Sequence, residues 1–290
     1  MQTHFDAASR AQIISEALPS IQKLHGQTVV IKYGGAAMLD ENLKAAVMGD
    51  IALLHFVGIR PIVVHGGGPE ISQMCQKLGI EPNFVQGLRV TDAQTMRVTE
   101  MVLGQIGKII AHLLSEKGAP AVSISGKDGA LMRATKYRGD AENSGDWGFV
   151  GEIESVDSAL IATLQNGGFV PIIQPIAPDQ GGQTYNITAD LAAAAIAQKL
   201  GAAKLLLLTD VAGVYRDFAD KTSLIAEMSV AQSEELMQSG ALGKGMIPKV
   251  RCAVEAVQGG VERAHIVDGR APHSLLIELF TDAGSGTMIY

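Results

Sequence analysis

Short, almost wholly apolar runs recur along the chain, most of them closed by a turn and followed by a segment of helical spacing. This alternation limits the fold more than any other feature. The runs TVVIK (28–32), PIVV (61–64), AVSIS (121–125), FVPII (169–173), KLLLL (204–208) and HIV (265–267) have strand length and little polar alternation. Strands buried on both faces of a parallel sheet have that composition. Helices are expected over 39–58, 69–79 and 91–118. In the second, Pro69 suits a first turn while Ile71, Met74, Cys75 and Leu78 share one face. LMRATKY (131–137) and WGFVGEI (147–153), joined by a polar loop, predict an antiparallel hairpin. The expected architecture is α/β, a three-layer αβα sandwich with an open, mainly parallel central sheet and ligands at the carboxyl ends of its strands.

With 47% hydrophobic and 18% charged residues the chain has the makings of a large core. A formal net charge of -7 disfavours nucleic acid or a membrane surface as a general partner. No stretch reads as a bilayer span or a signal peptide, so the expected location is the cytoplasm. Cys75 and Cys252 are isolated and lack metal-ligand spacing, which predicts reduced packing residues.

Residues 1–26 stand outside the alternating pattern. Ile13, Ile14, Ala17, Leu18, Ile21 and Leu24 form an amphipathic helical stripe, with a kink or break expected at Pro19. Such a helix packs either on its own subunit or, as an arm, on a neighbour.

Chemistry concentrates at the strand ends. Lys32-Tyr33-Gly34-Gly35 follows the first run and His65-Gly66-Gly67-Gly68 the second. Two such turns can converge backbone N–H groups on an anion, because glycine lets the backbone approach closely. No Lys-Ser or Lys-Thr follows the glycines, so this is not a Walker P-loop and the cations must come from elsewhere. Lys32 is either such a cation or a solvent-facing strand end. Asp190 is either a first-turn carboxylate favoured by the helix dipole or part of a site. Thr209 and Asp210 close the KLLLL strand as either a nucleotide-binding edge or a structural turn. Lys249 follows Pro248 at a helix start, where a lysine is electrostatically disfavoured and so hints at a bound anion. Lys244 lies between glycines in the loop before it.

The segments VVIKYGG, VVHGGGPEI, GLRVTD, SISGKDG, GFVGEI, YNITADLAAAAIA, LLLLTDVAGVY, GKGMIPKV and HIVDGR occur in this order. Together they closely resemble the acetylglutamate kinases of the amino-acid kinase family, over nearly the whole chain. The resemblance implies transfer of the ATP γ-phosphoryl group to the side-chain carboxylate of N-acetyl-L-glutamate, in arginine biosynthesis. It implies Lys32 and Lys249 as neutralising cations and Asp190 as the carboxylate that holds both. Gly34, Gly35, Gly66, Gly67 and Gly68 would donate backbone hydrogen bonds. Arg89 and Asn186 would bind acetylglutamate, and Thr209, Asp210, Gly213, Tyr215 and the 243–247 loop, with Gly245, would surround the nucleotide. Mg²⁺ is expected with ATP, with no metal site of the protein's own. The implied lobes are a helical arm (1–26), an acetylglutamate-binding and dimerising lobe (27–190) and a nucleotide lobe (191–290).

An N-terminal helix before the first strand also resembles the arginine-inhibited type, in which such helices interlace dimers into a hexamer, a trimer of dimers. L-arginine would then bind between this helix and the 278–286 segment, with Glu278 and Gly284 as site residues. Two positions depart from the family pattern: Ser20 stands where a tyrosine often follows the helix proline, and Thr188 where asparagine is common. Binding of a nitrogen-signalling PII protein is left open. The competing readings are a sister kinase acting on acetylaminoadipate and a non-catalytic arginine sensor. A nicotinamide-dependent oxidoreductase is disfavoured, since the HGGG turn lacks G-x-G-x-x-G spacing.

Overall fold

The computed structural model describes residues 6–139, 145–243, 245–281 and 284–290. Lys244 and part of the 278–286 segment lie outside the described residues. The elements run α1 (Ala7–Leu24), β1 (Thr28–Tyr33), α2 (Ala36–Leu39), α3 (Glu41–Phe56), β2 (Arg60–His65), α4 (Gly68–Lys77), β3 (Phe84–Val85), β4 (Leu88–Arg89), α5 (Ala93–Glu116) and β5 (Ala121–Ser125). They continue with β6 (Met132–Lys136), β7 (Gly151–Val156), α6 (Ala159–Asn166), β8 (Val170–Gln174), β9 (Ile176–Pro178), β10 (Thr184–Asn186), α7 (Ala189–Leu200) and β11 (Lys204–Thr209). The last are β12 (Glu227–Met228), α8 (Val230–Gln238), α9 (Ile247–Gln258), β13 (Arg263–Asp268), α10 (Ser274–Phe280) and β14 (Thr287–Ile289).

Eight strands form one sheet in the order β12-β14-β13-β11-β1-β2-β8-β5. The ladder is parallel except where β14 returns antiparallel beside β13. Every apolar run singled out above is a strand of this sheet. Each of its two faces is sealed by a hydrophobic cluster. One contains Ile31, Val63, Leu206 and residues of α3 and α5; the other contains Val30, Val64, Leu205 and residues of α7 and α9. Neighbouring residues of one strand thus enter opposite clusters, which is why these strands read as unbroken apolar runs. The expected hairpin is present as β6 and β7, with a register shift between Arg133 and Ala134.

The helix expected over 39–58 is present as α3, whose start is fixed by the Asp40 side chain accepting from the amides of Asn42 and Leu43; the short α2 precedes it. One expectation, at Pro19, needs revision. The expected break at Pro19 does not occur: α1 continues through it, with Asp6 capping its start. A proline removes one backbone donor, and one lost bond in a long helix need not end it. The hairpins β3–β4 and β9–β10 and the edge strands β12 and β14 carry too few residues to show a period.

The base of α1 packs on its own subunit, where Leu24 joins the core. Ile13, Ile14 and Leu18 remain 51%, 72% and 51% exposed. No helix among the described residues is long and apolar enough to cross a membrane.

Candidate active site

Sheet register brings the two glycine turns together. Tyr33 pairs with His65 in the β1–β2 ladder, and Lys32 pairs with Leu207 of β11 on the other side. The turns after β1 and β2 therefore leave the sheet at one level. A side chain on Gly34 would meet the Lys32 ammonium at 3.2 Å and lie 3.8 Å from the Gly66 amide nitrogen. A side chain there would push the Lys32 ammonium aside by a few tenths of an ångström.

The second turn runs into α4, where Gly67 holds the cap position without a side-chain cap and Pro69 lies in the first turn. First-turn amides of a helix have no partner inside it. Those of Gly67 and Gly68 find no acceptor among the described residues. Gly66 differs, for its amide donates to the Tyr33 carbonyl at 2.8 Å. The expectation that Gly66 donates to a ligand is revised accordingly: its amide ties the two turns together, while those of Gly67 and Gly68 stay without an acceptor among the described residues.

Beneath these turns stands a three-membered ion cluster. Lys32 lies 3.1 Å from Oδ1 of Asp190, and Lys249 donates to Oδ2 at 3.0 Å. The first contact is ionic rather than an aligned hydrogen bond, since the Lys32 ammonium also points at the Leu208 carbonyl, 3.5 Å away. Lys32 is thus not a solvent-facing strand end, and Asp190 is not a simple cap. Burial alone would raise the Asp190 carboxyl's pKa, but the two ammonium groups outweigh it and hold the pKa below the usual 3.8. Thr188 occupies the cap position of α7 without making a side-chain cap. The Cys252 thiol, on α9 with Lys249, contacts the Asp190 carbonyl at 3.2 Å and ties the two helix starts together. Both cysteines are free and buried.

Two clefts flank this cluster. One, of about 230 Å³, is lined by Gly66, Gly67, Gly68, Arg89, Asn186 and Thr188 among others. Arg89 is largely buried and donates through Nη2 to the Gly68 carbonyl at 2.8 Å and to Ser72 Oγ at 2.7 Å. Its guanidinium lies over the Phe84 ring, 4.7 Å from the centroid. Nη1 is buried without a partner among the described residues. An unpaired buried guanidinium nitrogen is costly and calls for an anionic acceptor. Asn186 reaches Thr91 Oγ1 only at 3.4 Å, which leaves its amide available.

The other cleft, of about 260 Å³, is lined by the residues named for the nucleotide, Thr209, Asp210, Gly213, Tyr215, Gly245 and Met246 of the 243–247 loop, and also by Val211, Phe218, Leu242 and Lys249. Its mainly apolar walls fit a heterocycle, and Lys249 at its edge faces the ion cluster. Phe218 and Leu242 lie outside the quoted segments, so spacing alone does not reveal them. Among the described residues no group of three or more His, Cys, Asp or Glu side chains gathers to hold a metal ion.

A third cleft, of about 500 Å³, lies between α1 and the C-terminal strands and includes Ser20, Lys23, Lys204, His265, Glu278 and Gly284. Glu278 is already engaged. It accepts from His265 Nδ1 at 2.6 Å and from the amides of Ser285 and Gly286 at 2.6 and 3.0 Å. Burial favours the neutral form of His265, and the three donors hold Glu278 ionised. Lys204 stands 3.0 Å from His265 Nε2, and burial lowers its pKa to about 8. Lys204 and His265 carry no local sequence signal, since one begins a strand and the other lies within one.

Known proteins resemble this chain over most of its length. Residues 27–268 match the model of the amino acid kinase family. The chain is 53% identical over 289 residues to an acetylglutamate kinase of Thermoanaerobacter pseudethanolicus, covering 99% of this chain and 95% of the relative. It is 52% identical to one from Synechocystis sp., covering 98% and 94%. Among solved structures, N-acetylglutamate synthase from Neisseria gonorrhoeae complexed with coenzyme A and N-acetyl-glutamate superposes with a TM-score of 0.84 at 28% identity. That match covers 96% of this chain and 63% of the synthase, so this chain spans less than two thirds of it. Carbamate kinase from Giardia lamblia bound to AMP-PNP shares the fold, with a TM-score of 0.66 at 19% identity, covering 91% of this chain and 98% of that one.

Proposed function

The chain belongs to the amino acid kinase family, and within it to the acetylglutamate kinases, and from that premise we propose how its residues carry the reaction. ATP would occupy the cleft at Thr209, Asp210, Gly213, Tyr215 and Gly245, in the lobe 191–290. N-acetyl-L-glutamate would occupy the cleft at Arg89 and Asn186, in the lobe 27–190. The observation that carries this reading is the Lys32–Asp190–Lys249 cluster, which joins the glycine turns to the nucleotide cleft.

The acceptor carboxylate is ionised at neutral pH and needs no general base. One of its oxygens attacks Pγ, the bond from Pγ to the bridging oxygen breaks, and ADP leaves with that electron pair. The products are an acyl phosphate and ADP, with no proton transfer in the step. The obstacle is bringing two anions together, so positioning and charge neutralisation dominate. Lys32 and Lys249 meet the spreading phosphoryl charge. Asp190 keeps both ammonium groups at one point despite their mutual repulsion. The amides of Gly34, Gly35, Gly67 and Gly68 add fixed dipoles, with Gly66 supporting the turn. Arg89 offers its free Nη1 to a carboxylate of the acceptor, and Asn186 binds the amide portion. Mg²⁺ would enter chelated by ATP, a role that needs no cage of protein ligands and would screen the phosphate charge. Asp190, paired with two lysines, is not a free ligand for it.

Arginine inhibition is the finer part of the proposal. The cleft between α1 and the C-terminal strands supports it, as do the exposed Ile13, Ile14 and Leu18, which suit an arm packing on a neighbour. L-arginine would bind there near Glu278 and Gly284, with Lys204 meeting its carboxylate. The assembly would be a homohexamer, a trimer of dimers, in the cytoplasm where ATP and the acceptor meet.

Hydroxylamine trapping of the acyl phosphate tests the whole reading. Acetylglutamate, glutamate, aspartate and acetylaminoadipate are each supplied with ATP and Mg²⁺, with and without arginine. Hydroxamate from acetylglutamate alone, suppressed by arginine, supports both parts. Preference for acetylaminoadipate makes the chain a sister kinase, and no product from any acceptor favours the sensor reading.

A further inference from the structure

His65 closes β2 immediately before the glycine turn, yet the reaction above gives it no task. Its side chain is fully buried at 0% exposure. Nδ1 lies 2.9 Å from the carbonyl oxygen of Gly66. Nε2 is buried and has no hydrogen-bond partner among the described residues. That nitrogen points at Gly107 of α5, where a side chain would come within 3.0 Å of it. Ser123 and Gln174 border the same spot, and Gln174 donates to Ser123 Oγ at 3.1 Å.

These contacts favour one tautomer. The Gly66 carbonyl is an acceptor only, so Nδ1 must carry the proton that bonds to it. Nε2 is then the lone-pair nitrogen, and leaving a lone pair unmatched costs less than burying an unpaired N–H. A second proton on Nε2 would be a buried charge with no acceptor, and burial accordingly lowers the pKa to about 4.

The consequence lies one bond further on. The Gly66–Gly67 peptide is a planar trans unit, so its N–H points opposite to its carbonyl. Fixing the Gly66 oxygen against the His65 ring turns the Gly67 N–H away from the core, toward the cleft that Gly67 lines. Glycines impose little torsional preference of their own, so this peptide needs an external hold. We propose that His65 is a positioning residue: its Nδ1–H clamps the Gly66 carbonyl and so aims the Gly67 amide at the anionic group bound in the cleft. The proposal rests on the acceptor and phosphoryl placement given above.

Substitutions at this site separate the clamp from mere packing. In His65→Asn the side-chain NH₂ can take the place of Nδ1–H. In His65→Gln the donor lies near the Nε2 position instead, and His65→Leu has volume without a donor. Each variant is assayed by hydroxamate formation with acetylglutamate, with KM for ATP followed in parallel. The expected result is a loss in kcat/KM for acetylglutamate of about 10–100-fold for Leu and Gln, since a misaimed donor forfeits much of its effect. His65→Asn should recover to within about threefold of the parent, and KM for ATP should move little. Wild-type activity in His65→Leu, or Gln outperforming Asn, would overturn the clamp. A second measurement needs neither substrate nor variant: ¹⁵N NMR of the His65 ring in the full chain at neutral pH. A proton on Nδ1 supports the proposal, and a proton on Nε2 refutes it. Should the wild-type protein form no hydroxamate from acetylglutamate, the acceptor assignment fails, while the ring spectrum still decides the clamp.

Discussion

Lys32 and Lys249 bind opposite oxygens of one carboxylate, that of Asp190, at 3.1 and 3.0 Å. Lys32 stands on the central strand β1 and Lys249 in the first turn of α9, so the shared carboxylate links sheet and helix beneath the glycine turns. Two cations held this close are set for a more highly charged partner than Asp190. Lys32→Ala or Lys249→Ala should therefore lower kcat by about 10²–10³, roughly 3–4 kcal/mol of transition-state stabilisation. Steady-state kinetics on each variant checks this, and near-normal turnover removes that lysine from the mechanism.

Asp190→Asn should weaken both stability and turnover, because it leaves two neighbouring ammonium groups repelling each other. Loss of one partner from a buried charge cluster costs about 3–5 kcal/mol; the low end is expected here because both lysines keep some solvent contact. The pH dependence follows from the lowered pKa of Asp190. A carboxylate with a depressed folded-state pKa stabilises the fold fully above the unfolded value near 3.8. That contribution fades as pH falls through the folded value. Denaturant titrations between pH 3 and pH 7 should show a steeper acid loss in the parent than in Asp190→Asn, and parallel curves would contradict the pairing.

Arg89→Lys should raise KM for acetylglutamate more than it lowers kcat. One guanidinium holds the Gly68 carbonyl, Ser72 and the Phe84 ring while Nη1 stays free, and a lysine ammonium has no second nitrogen for the ligand. Initial rates against acetylglutamate at saturating ATP give the split, and an unchanged KM refutes the assignment.

Gly67→Ala should impair the turn by close approach. The added methyl would lie 2.7 Å from Ile106 Cδ1 and 2.9 Å from Leu103 Cδ2, so either these two side chains or the turn must shift. A loss of about tenfold in kcat/KM for acetylglutamate, with thermal stability changed little, is expected from displacing one or two donors. Unaltered kinetics would mean the two side chains yield at no cost to the turn.

Removal of residues 1–20 takes away the exposed Ile13, Ile14 and Leu18 and spares Leu24, which is part of the core. The expected product is an active, arginine-insensitive dimer, measured by sedimentation together with the hydroxamate assay. A hexamer that persists without these residues would overturn the arm.

Much of the site is legible because it is written locally. The apolar runs, the glycines at 34–35 and 66–68, and Pro248 before Lys249 each report their own backbone's needs, and each lies where the local pattern places it. The start of α3 after Asp40 is equally local, set by a side-chain cap rather than by a long-range effect. What local pattern left open for Lys32 and Asp190 was the choice between a structural and a chemical role.

The sequence by itself determined a parallel α/β sheet with two glycine turns on neighbouring strands, since periodicity and turn chemistry act over a few residues. Only the tertiary structure decided that Asp190 pairs with both lysines and that Arg89 keeps one nitrogen free. It also decided that Glu278 spends its oxygens on His265 and two backbone amides, and that His65 grips the Gly66 carbonyl. Most of these contacts join residues far apart in the chain, and all of them depend on strand register and helix docking. Burial then converts those distances into protonation states, through a desolvation cost that no short window of sequence contains.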